Sequence, residues 1–339
     1  MKAAVLREAG KILQIEEVAD PTPGPGELIL RVESCGICGS DLHVSNIPGA
    51  LAPGTVMGHE FAGVVAEVGR EAAQRFRVGE RVCALPCIGC GRCGPCLAGD
   101  PTRCPTQQST GLGQNPGAYA QYVRVGQHEV LRLPESVDHR QGAMVEPLAV
   151  ALHAVEKAEL LPGARVLVIG AGPIGLCTAL WARFFGARSV VVSEKAAGRR
   201  ALAARFGATD AIDPGAEDVA ASFAKSAGGP PDVVFECVGV RGLLQESMNL
   251  ARDRGRVVVV GVCVTPDTIV PAVAILKELD LRFVVAYLRR DFELTLALLE
   301  QGRISSEAMV TDVVDLARFP AAFEALKQPS TQCKVILEP

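Results

Sequence analysis

Before Glu146, hydrophobic positions come in short runs cut by proline and glycine: Leu28–Val32, Gly63–Val68, Arg81–Leu85, Ala120–Val125 and Glu129–Leu133. Runs of this length bounded by turn residues predict strands. Two stretches break the pattern. Pro21–Glu27 (PTPGPGE) and the Pro-, Cys- and Gly-rich Pro86–Pro105 predict neither helix nor central strand, because proline lacks the N–H that both need. The N-terminal part therefore reads as an all-β, barrel-like region with a long cysteine-rich excursion.

The pattern changes at Glu146-Pro147. A helix over Pro147–Glu159, with proline in its first turn, leads into a regular alternation. Strands are predicted at Arg165–Ile169, Ser189–Ser193, Asp210–Ile212, Asp232–Glu236, Arg256–Val260 and Leu281–Ala286, with helices such as Ile174–Phe185 and Ala197–Phe206 between the earlier ones. Strands alternating with helices indicate a doubly wound parallel sheet. The tail offers helices at Asp291–Gln301 and Phe319–Lys327 and a closing strand Cys333–Leu337. No internal repeat or low-complexity segment is evident.

Composition narrows the function. The 339 residues exceed what one core holds (~250–300), which implies two or three domains. With 49% hydrophobic and 21% charged residues, disordered and fibrous architectures are excluded. A net charge of −4 argues against a general nucleic-acid binder. Val166–Ala182 carries no charge, but it is short for a membrane span of ~20 residues and is broken by Gly170, Gly172, Pro173 and Gly175, so no membrane role is expected. Met1–Gly10 lacks the apolar core of a secretory signal and carries Arg7 and Glu8. A cytoplasmic protein is expected, and there its 12 cysteines read as metal ligands before disulfides.

Gly170-Ala-Gly172-Pro173-Ile-Gly175 is a GxGxxG turn placed after a strand and at the head of a helix. Gly170 allows the tight turn, Gly172 the close approach of backbone to a pyrophosphate, and Gly175 the close packing of helix on strand. The helix N-terminus adds N–H donors for phosphates. Glu194, at the end of the next strand, suits both adenosine ribose hydroxyls and repels a 2′-phosphate, which favours NAD over NADP. Lys195, Arg199 and Arg200 follow closely and soften that preference.

Two cysteine constellations suggest metals. Cys90, Cys93, Cys96 and Cys104 have the spacing C-x2-C-x2-C-x7-C, and four thiolates on one turn-rich loop close a tetrahedron around zinc with no position open for chemistry. An iron–sulfur cluster is the competing reading, to which Cys104-Pro105 lends some weight. Cys87 is the spare. The second set is dispersed: Cys35-Gly-Ile-Cys38-Gly-Ser40-Asp41-Leu-His43, then Gly58-His59-Glu60, then Glu146. One thiolate, one imidazole and one or two carboxylates suit a zinc site of the open kind, and spacing alone does not choose between Cys35 and Cys38. Singly, His59 reads equally as a core histidine, Glu60 as a surface acid, and Glu146 as a charge favoured at a helix N-terminus. In a chain that also carries a nicotinamide-type turn, they read as a site.

These motifs together resemble the zinc-containing medium-chain dehydrogenase/reductase family of alcohol, sorbitol, butanediol and threonine dehydrogenases. The resemblance runs along the whole chain in order: CGICGSDLH, GHEFAGVV, VGERV, CGRCGPC with Cys104, GAYAQY, EPLAVALHAV, GAGPIG and FECVG. It implies a GroES-like β-barrel catalytic domain over 1–147, with a structural-zinc loop at 86–105. A Rossmann dinucleotide-binding domain at 148–287 would be inserted into it, with a return at 288–339 and the active site in the cleft. It also implies two zinc ions per chain. For the catalytic ion it selects Cys38 over Cys35 and matches His59. Glu60 matches an adjacent glutamate that binds the metal in some members and states. Glu146 stands where classical alcohol dehydrogenases have a cysteine and sorbitol- or threonine-type members an acid. Ser40 and His43 match residues that pass the substrate proton outward, and Asp41 an acid near the zinc-binding histidine. Pro173, Ile174, Glu194, Arg199, Val238 and the Gly261-Val262 turn match cofactor contacts. A homodimer or homotetramer is implied, and Arg256–Val264 with Thr268–Val270 are candidates to pair across a two-fold axis.

The implied reaction is reversible oxidation of a secondary alcohol to a ketone with hydride transfer to NAD. The proton would leave through Ser40, a ribose hydroxyl and His43, since zinc lowers the pKa of a bound hydroxyl and imidazole titrates near neutrality. The substrate is a small molecule, and polyol, butanediol, threonine and glucose dehydrogenation all remain open. After His43 comes Val44-Ser45-Asn46, without the aromatic residue that often lines polyol pockets, and no ammonium-binding acid stands out for threonine. The loops Asn46–Val56 and Thr110–Gly117 are small and mostly apolar or neutral. Two rivals are a redox or zinc sensor switching through Cys83–Cys104 and binding NADH, and a zinc-free NADPH-dependent quinone or enone reductase. Cys83, Cys177, Cys263 and Cys333 read as core cysteines, and Cys237 as a neighbour of the cofactor. His128 and His139 read as surface residues and His153 as a helix residue facing the core.

Overall fold

A computed structural model describes residues 1–328 and 331–339. The chain forms two units: Met1–Glu146 with Tyr287–Pro339, and Pro147–Ala286.

The first unit is built on a mixed sheet in which Glu27–Gly36 pairs antiparallel with Glu60–Val68, Tyr122–Gly126 and the closing strand Lys334–Leu337. Register shifts between Ile29/Leu30 and Val32/Ser34 bend Glu27–Gly36, as bulges do. Its end, Cys35 and Gly36, lies opposite Leu337 and Ile336. The last strand of the chain is thereby placed against the segment that leads into Cys38. A smaller sheet joins Lys2–Leu6 to Gln14–Glu17 and Thr55–Val56. The core of this unit gathers Leu28, Leu30, Phe61, Val65, Phe319 and Phe323 around Tyr119, whose ring centroid is 4.6 Å from that of Phe319. Each such side chain contributes about 1.5–3 kcal/mol by leaving water.

The second unit is a parallel six-stranded sheet in the order Asp210–Ile212, Ser189–Ser193, Arg165–Ile169, Val233–Glu236, Arg256–Val259, Asp280–Phe283. In chain order this is 3-2-1-4-5-6, the doubly wound dinucleotide-binding topology. Its central strands are buried on both faces, which is why Val166–Val168 and Val190–Val192 read as unbroken β-branched and apolar runs.

Several expectations need correction. Pro86–Pro105 is not devoid of regular structure. It holds a short strand, Cys87–Ile88, a single helical turn, Gly94–Leu97, and a 3₁₀ turn, Pro101–Arg103. Pro95 and Pro101 sit in first-turn positions, where the missing N–H has no partner to lose. The helix expected over Ala197–Phe206 breaks into Ala197–Arg200 and a 3₁₀ turn, Ala203–Phe206, stopped by Gly207 at φ 81°. The run Arg256–Val264 leaves the sheet at Val259, so Cys263 is exposed instead of in the core. The last strand is Asp280–Phe283, and Val284–Ala286 lie outside it. His139 is half-buried, and burial beside Arg81 lowers its pKa.

Candidate functional site

Among the described residues, no cysteine forms a disulfide. The sulfurs of Cys90, Cys93, Cys96 and Cys104 all lie within 4.8 Å of one another, compared with ~3.8 Å for a zinc tetrahedron built from ~2.3 Å bonds. The set needs only small adjustments to close on an ion. The loop prepares its thiolates unevenly. The Cys90 N–H donates to Cys104 Sγ at 3.4 Å, and with Thr106 it brings that thiol down to about 6. Burial pushes Cys96 up to about 12. Cys87 lies outside the cluster, and burial with the Glu129 charge keeps it a thiol. Behind the loop, buried Glu129 accepts the Gly89 N–H at 3.2 Å, and burial raises its carboxyl to about 7. From the returning segment, the Arg289 N–H donates to Gly99 O at 2.8 Å and its Nη2 to Val130 O at 3.2 Å, clipping the loop in place.

The dispersed set converges in the same unit. Cys38 caps the helix Gly39–Val44, and its N–H donates to Asp41 Oδ2 at 3.1 Å. Asp41 is fully buried; it also accepts the Tyr119 hydroxyl at 2.5 Å and faces His59 Nδ1 at 3.2 Å. A carboxylate on Nδ1 selects the tautomer whose Nε2 lone pair is available to a metal. Burial alone would lower the His59 pKa, but the charges of Asp41 and Cys38 outweigh it and hold the imidazole well above its ordinary value. Ser40 Oγ donates to Cys38 Sγ at 3.2 Å and lies 3.4 Å from His59 Nε2. His43, exposed, follows Ser40 by three residues on that helix, on the same face.

Ligand atoms of Cys38, His59 and Glu60 lie within 4.8 Å of one another, while Cys35 and Glu146 lie outside that group. Cys35 is buried, with its Sγ turned to Gly36 O at 3.7 Å. Glu60 is fully buried, and both its oxygens meet Lys334 Nζ, at 2.7 and 2.6 Å. That ammonium also donates to Ile37 O at 2.9 Å. Burial opposes the charge on Lys334, but the Glu60 carboxylate outweighs it and keeps the pKa raised. Gly36 leaves room for this pair, since a Cβ on it would stand 2.2 Å from Glu60 Oε2. Glu146 opens the helix Val145–Ala158. Burial first, and the Glu60 charge with it, raise its carboxyl to about 7 against the opposing pull of His59 and a hydrogen bond from Tyr287.

A second candidate region lies in the parallel sheet, at the carboxyl ends of its strands, where open α/β sheets bind ligands. Gly170 has φ 97°, and a Cβ on Gly175 would stand 1.9 Å from Gly170 O, so the helix Pro173–Phe184 packs this closely only with glycine there. A Cβ on Gly172 would meet nothing within 4 Å, which leaves the backbone open to a phosphate. The Glu194 carboxylate accepts the Ala171 N–H at 2.8 Å and the Ala196 N–H at 2.7 Å, so it is fastened to the glycine turn. Val238 and Val262 are exposed at adjoining strand ends, and Gly261 packs against Gly239. Buried Glu236 holds this edge by accepting the Val238 and Gly239 N–H groups at 2.7 and 2.9 Å.

A family model of the alcohol dehydrogenase GroES-like domain matches residues 24–135, and a zinc-binding dehydrogenase model matches residues 173–301. The (R,R)-butanediol dehydrogenase of Bacillus subtilis (strain 168) is 32% identical over 345 residues, covering 97% of each chain. The chain belongs to the zinc-type medium-chain dehydrogenase family. A sorbitol dehydrogenase of the same bacterium is 31% identical over 349 residues, covering 100% of this chain and 97% of its own. A solved zinc-binding dehydrogenase of Sinorhizobium meliloti 1021, bound to NADP, is 33% identical with a TM-score of 0.89, covering 100% of this chain and 99% of its own. The first unit is thus the family's GroES-like part and the second its Rossmann part.

Sequence reasoning missed Lys334, Tyr287, Glu236 and Glu129 and passed over Tyr119 within GAYAQY. The available signals were slight: a lysine inside the apolar run CKVIL, and an acid inside each of the apolar stretches that hold Glu129 and Glu236.

Proposed function

We propose that this dehydrogenase reversibly oxidises a small secondary alcohol to a ketone with NAD as hydride acceptor. One zinc is held by Cys38, His59 and Glu60, with Glu146 close by, and a structural zinc by Cys90, Cys93, Cys96 and Cys104. The contrast between the two donor sets carries this reading. Four thiolates leave no coordination position for chemistry, whereas one thiolate, one imidazole and one carboxylate leave one open. Zinc in an open set lowers the pKa of a hydroxyl, as it does for water, from 15.7 to about 7.

The chain's own residues supply the rest. Asp41, itself fixed by Tyr119, orients His59. Ser40, set between Cys38 Sγ and His59 Nε2, receives the substrate proton, and exposed His43 passes it to solvent. Glu194, Arg199, Val238, Gly261 and Val262, with Gly170 to Gly175, bind the dinucleotide. The Glu194 carboxylate favours NAD by repelling a 2′-phosphate. The lack of an aromatic residue after His43 favours a small substrate over a long polyol.

We further propose a homodimer formed through the sheet edge Asp280–Phe283, where Val262, Val264, Leu276, Phe283 and Val285 are exposed near the free edge of the last strand in the sheet order. Among the described residues, no helix is long and apolar enough to cross a membrane. The unbridged thiols suit the reducing cytoplasm. The test is a screen of NAD⁺ reduction over small and cyclic secondary alcohols, diols and sugars, with NADP⁺ in parallel and zinc quantified. Normal turnover by zinc-free protein would sink the reading.

A further inference from the structure

We infer that Asp213 is a specificity-determining residue of the cofactor site, which works by holding Arg200 away from the adenosine ribose. The inference rests on the reading that the strand ends around Glu194 bind a dinucleotide and prefer NAD. The loop after Ser189–Ser193 carries three cations, Lys195, Arg199 and Arg200, where a dinucleotide places its ribose. A cation free to turn there accommodates a 2′-phosphate, so the preference depends on where each guanidinium is held as well as on Glu194.

Arg200 is held on three sides. Its Nη1 donates to Glu194 O at 2.7 Å and Lys195 O at 3.0 Å, and its Nη2 pairs with Asp213 Oδ2 at 3.0 Å. Asp213 is aimed by its own turn, since its Oδ1 accepts the Gly215 N–H at 2.9 Å. The Glu194 N–H donates to Ile212 O at 3.0 Å, tying the two strand ends together. The arginine is therefore spent on backbone carbonyls and a carboxylate while the Glu194 carboxylate stays with the glycine turn. The pair is 22% and 30% exposed, so it opens without unpacking a core. Once Asp213 loses its charge, the Nη2 edge of Arg200 is released beside the position where a 2′-phosphate would sit. The NADP-bound relative shows that this fold accommodates that phosphate.

The test is calorimetric titration of the zinc-loaded enzyme with adenosine 2′,5′-bisphosphate and with 5′-AMP, for wild type, Asp213→Asn, Arg200→Ala and the double variant. Asp213→Asn should raise the bisphosphate-to-AMP affinity ratio by about tenfold or more, the scale of one charge-assisted hydrogen bond. The gain should vanish in the double variant. An unchanged ratio overturns the inference. So does a gain that survives without Arg200, because mere loss of a negative charge then accounts for it. Asp213→Ser serves the same comparison should Asp213→Asn fail to fold. Wild type that binds neither nucleotide overturns the cofactor reading itself. Wild type that favours the bisphosphate overturns both the NAD preference and the restraint on Arg200.

Discussion

The four-cysteine loop and the Cys38–His59–Glu60 cluster share one folding unit, yet they are assembled in opposite ways. The loop draws all its donors from Cys90–Cys104, and local backbone N–H groups tune its sulfurs. The other cluster takes Cys38 from one segment and His59-Glu60 from another, and depends on Asp41, on Tyr119 and, 274 residues from Glu60, on Lys334. A closed local set stabilises. An open set built from distant parts leaves room for substrate but needs an outer layer to hold it.

The largest effect that would sharpen this contrast comes from Cys38→Ala. Its kcat/KM should fall by about 10³-fold or more, with loss of one zinc and retention of the loop zinc by metal analysis. Cys93→Ser should do the reverse, keeping turnover at low temperature while lowering the thermal midpoint by several degrees. Loss of both zinc ions from either variant would break the distinction.

Next comes Lys334→Met, which leaves Glu60 buried without its counter-charge and should destabilise the protein by about 3–5 kcal/mol in denaturant unfolding. Adding Glu60→Gln should restore much of that, and failure to do so would argue against the ion pair as the cause. Asp41→Asn, which disturbs the support of His59 and leaves all three grouped donors in place, should weaken zinc in the open set by ~10–100-fold in chelator competition and leave the loop zinc in place.

The smallest effect is a control in the other unit. Burial alone would raise the Asp232 carboxyl, but hydrogen bonds from Arg165 and Arg252 outweigh it and hold the group well below its ordinary 3.8. A depressed carboxyl contributes stability above its unfolded value, and that contribution is lost as pH falls through the folded one. Asp232→Asn should cost about 1–2 kcal/mol at neutral pH and flatten the stability curve below about pH 4. Acid sensitivity unchanged by this substitution would argue against the Asp232 ion pairs as its source.

Much of this molecule is legible in one dimension. The central strands Arg165–Ile169 and Ser189–Ser193 were recognisable because a strand covered on both faces must be apolar throughout. The glycine turn and the cysteine ladder were recognisable because a phosphate cradle and a closed tetrahedron impose fixed short spacings. The sequence by itself thus determined the fold class, the family and the spacing of the four-cysteine loop, and left open whether Cys35 or Cys38 joins His59. The tertiary structure alone decided which distant groups meet. Lys334 reaches Glu60 because Ile336 pairs with Gly36, Asp213 reaches Arg200 because two parallel strands end side by side, and Cys263 is exposed because its strand stops at Val259. Such pairings follow from sheet register and strand length, which local hydrophobic pattern leaves free because many registers bury the same apolar face.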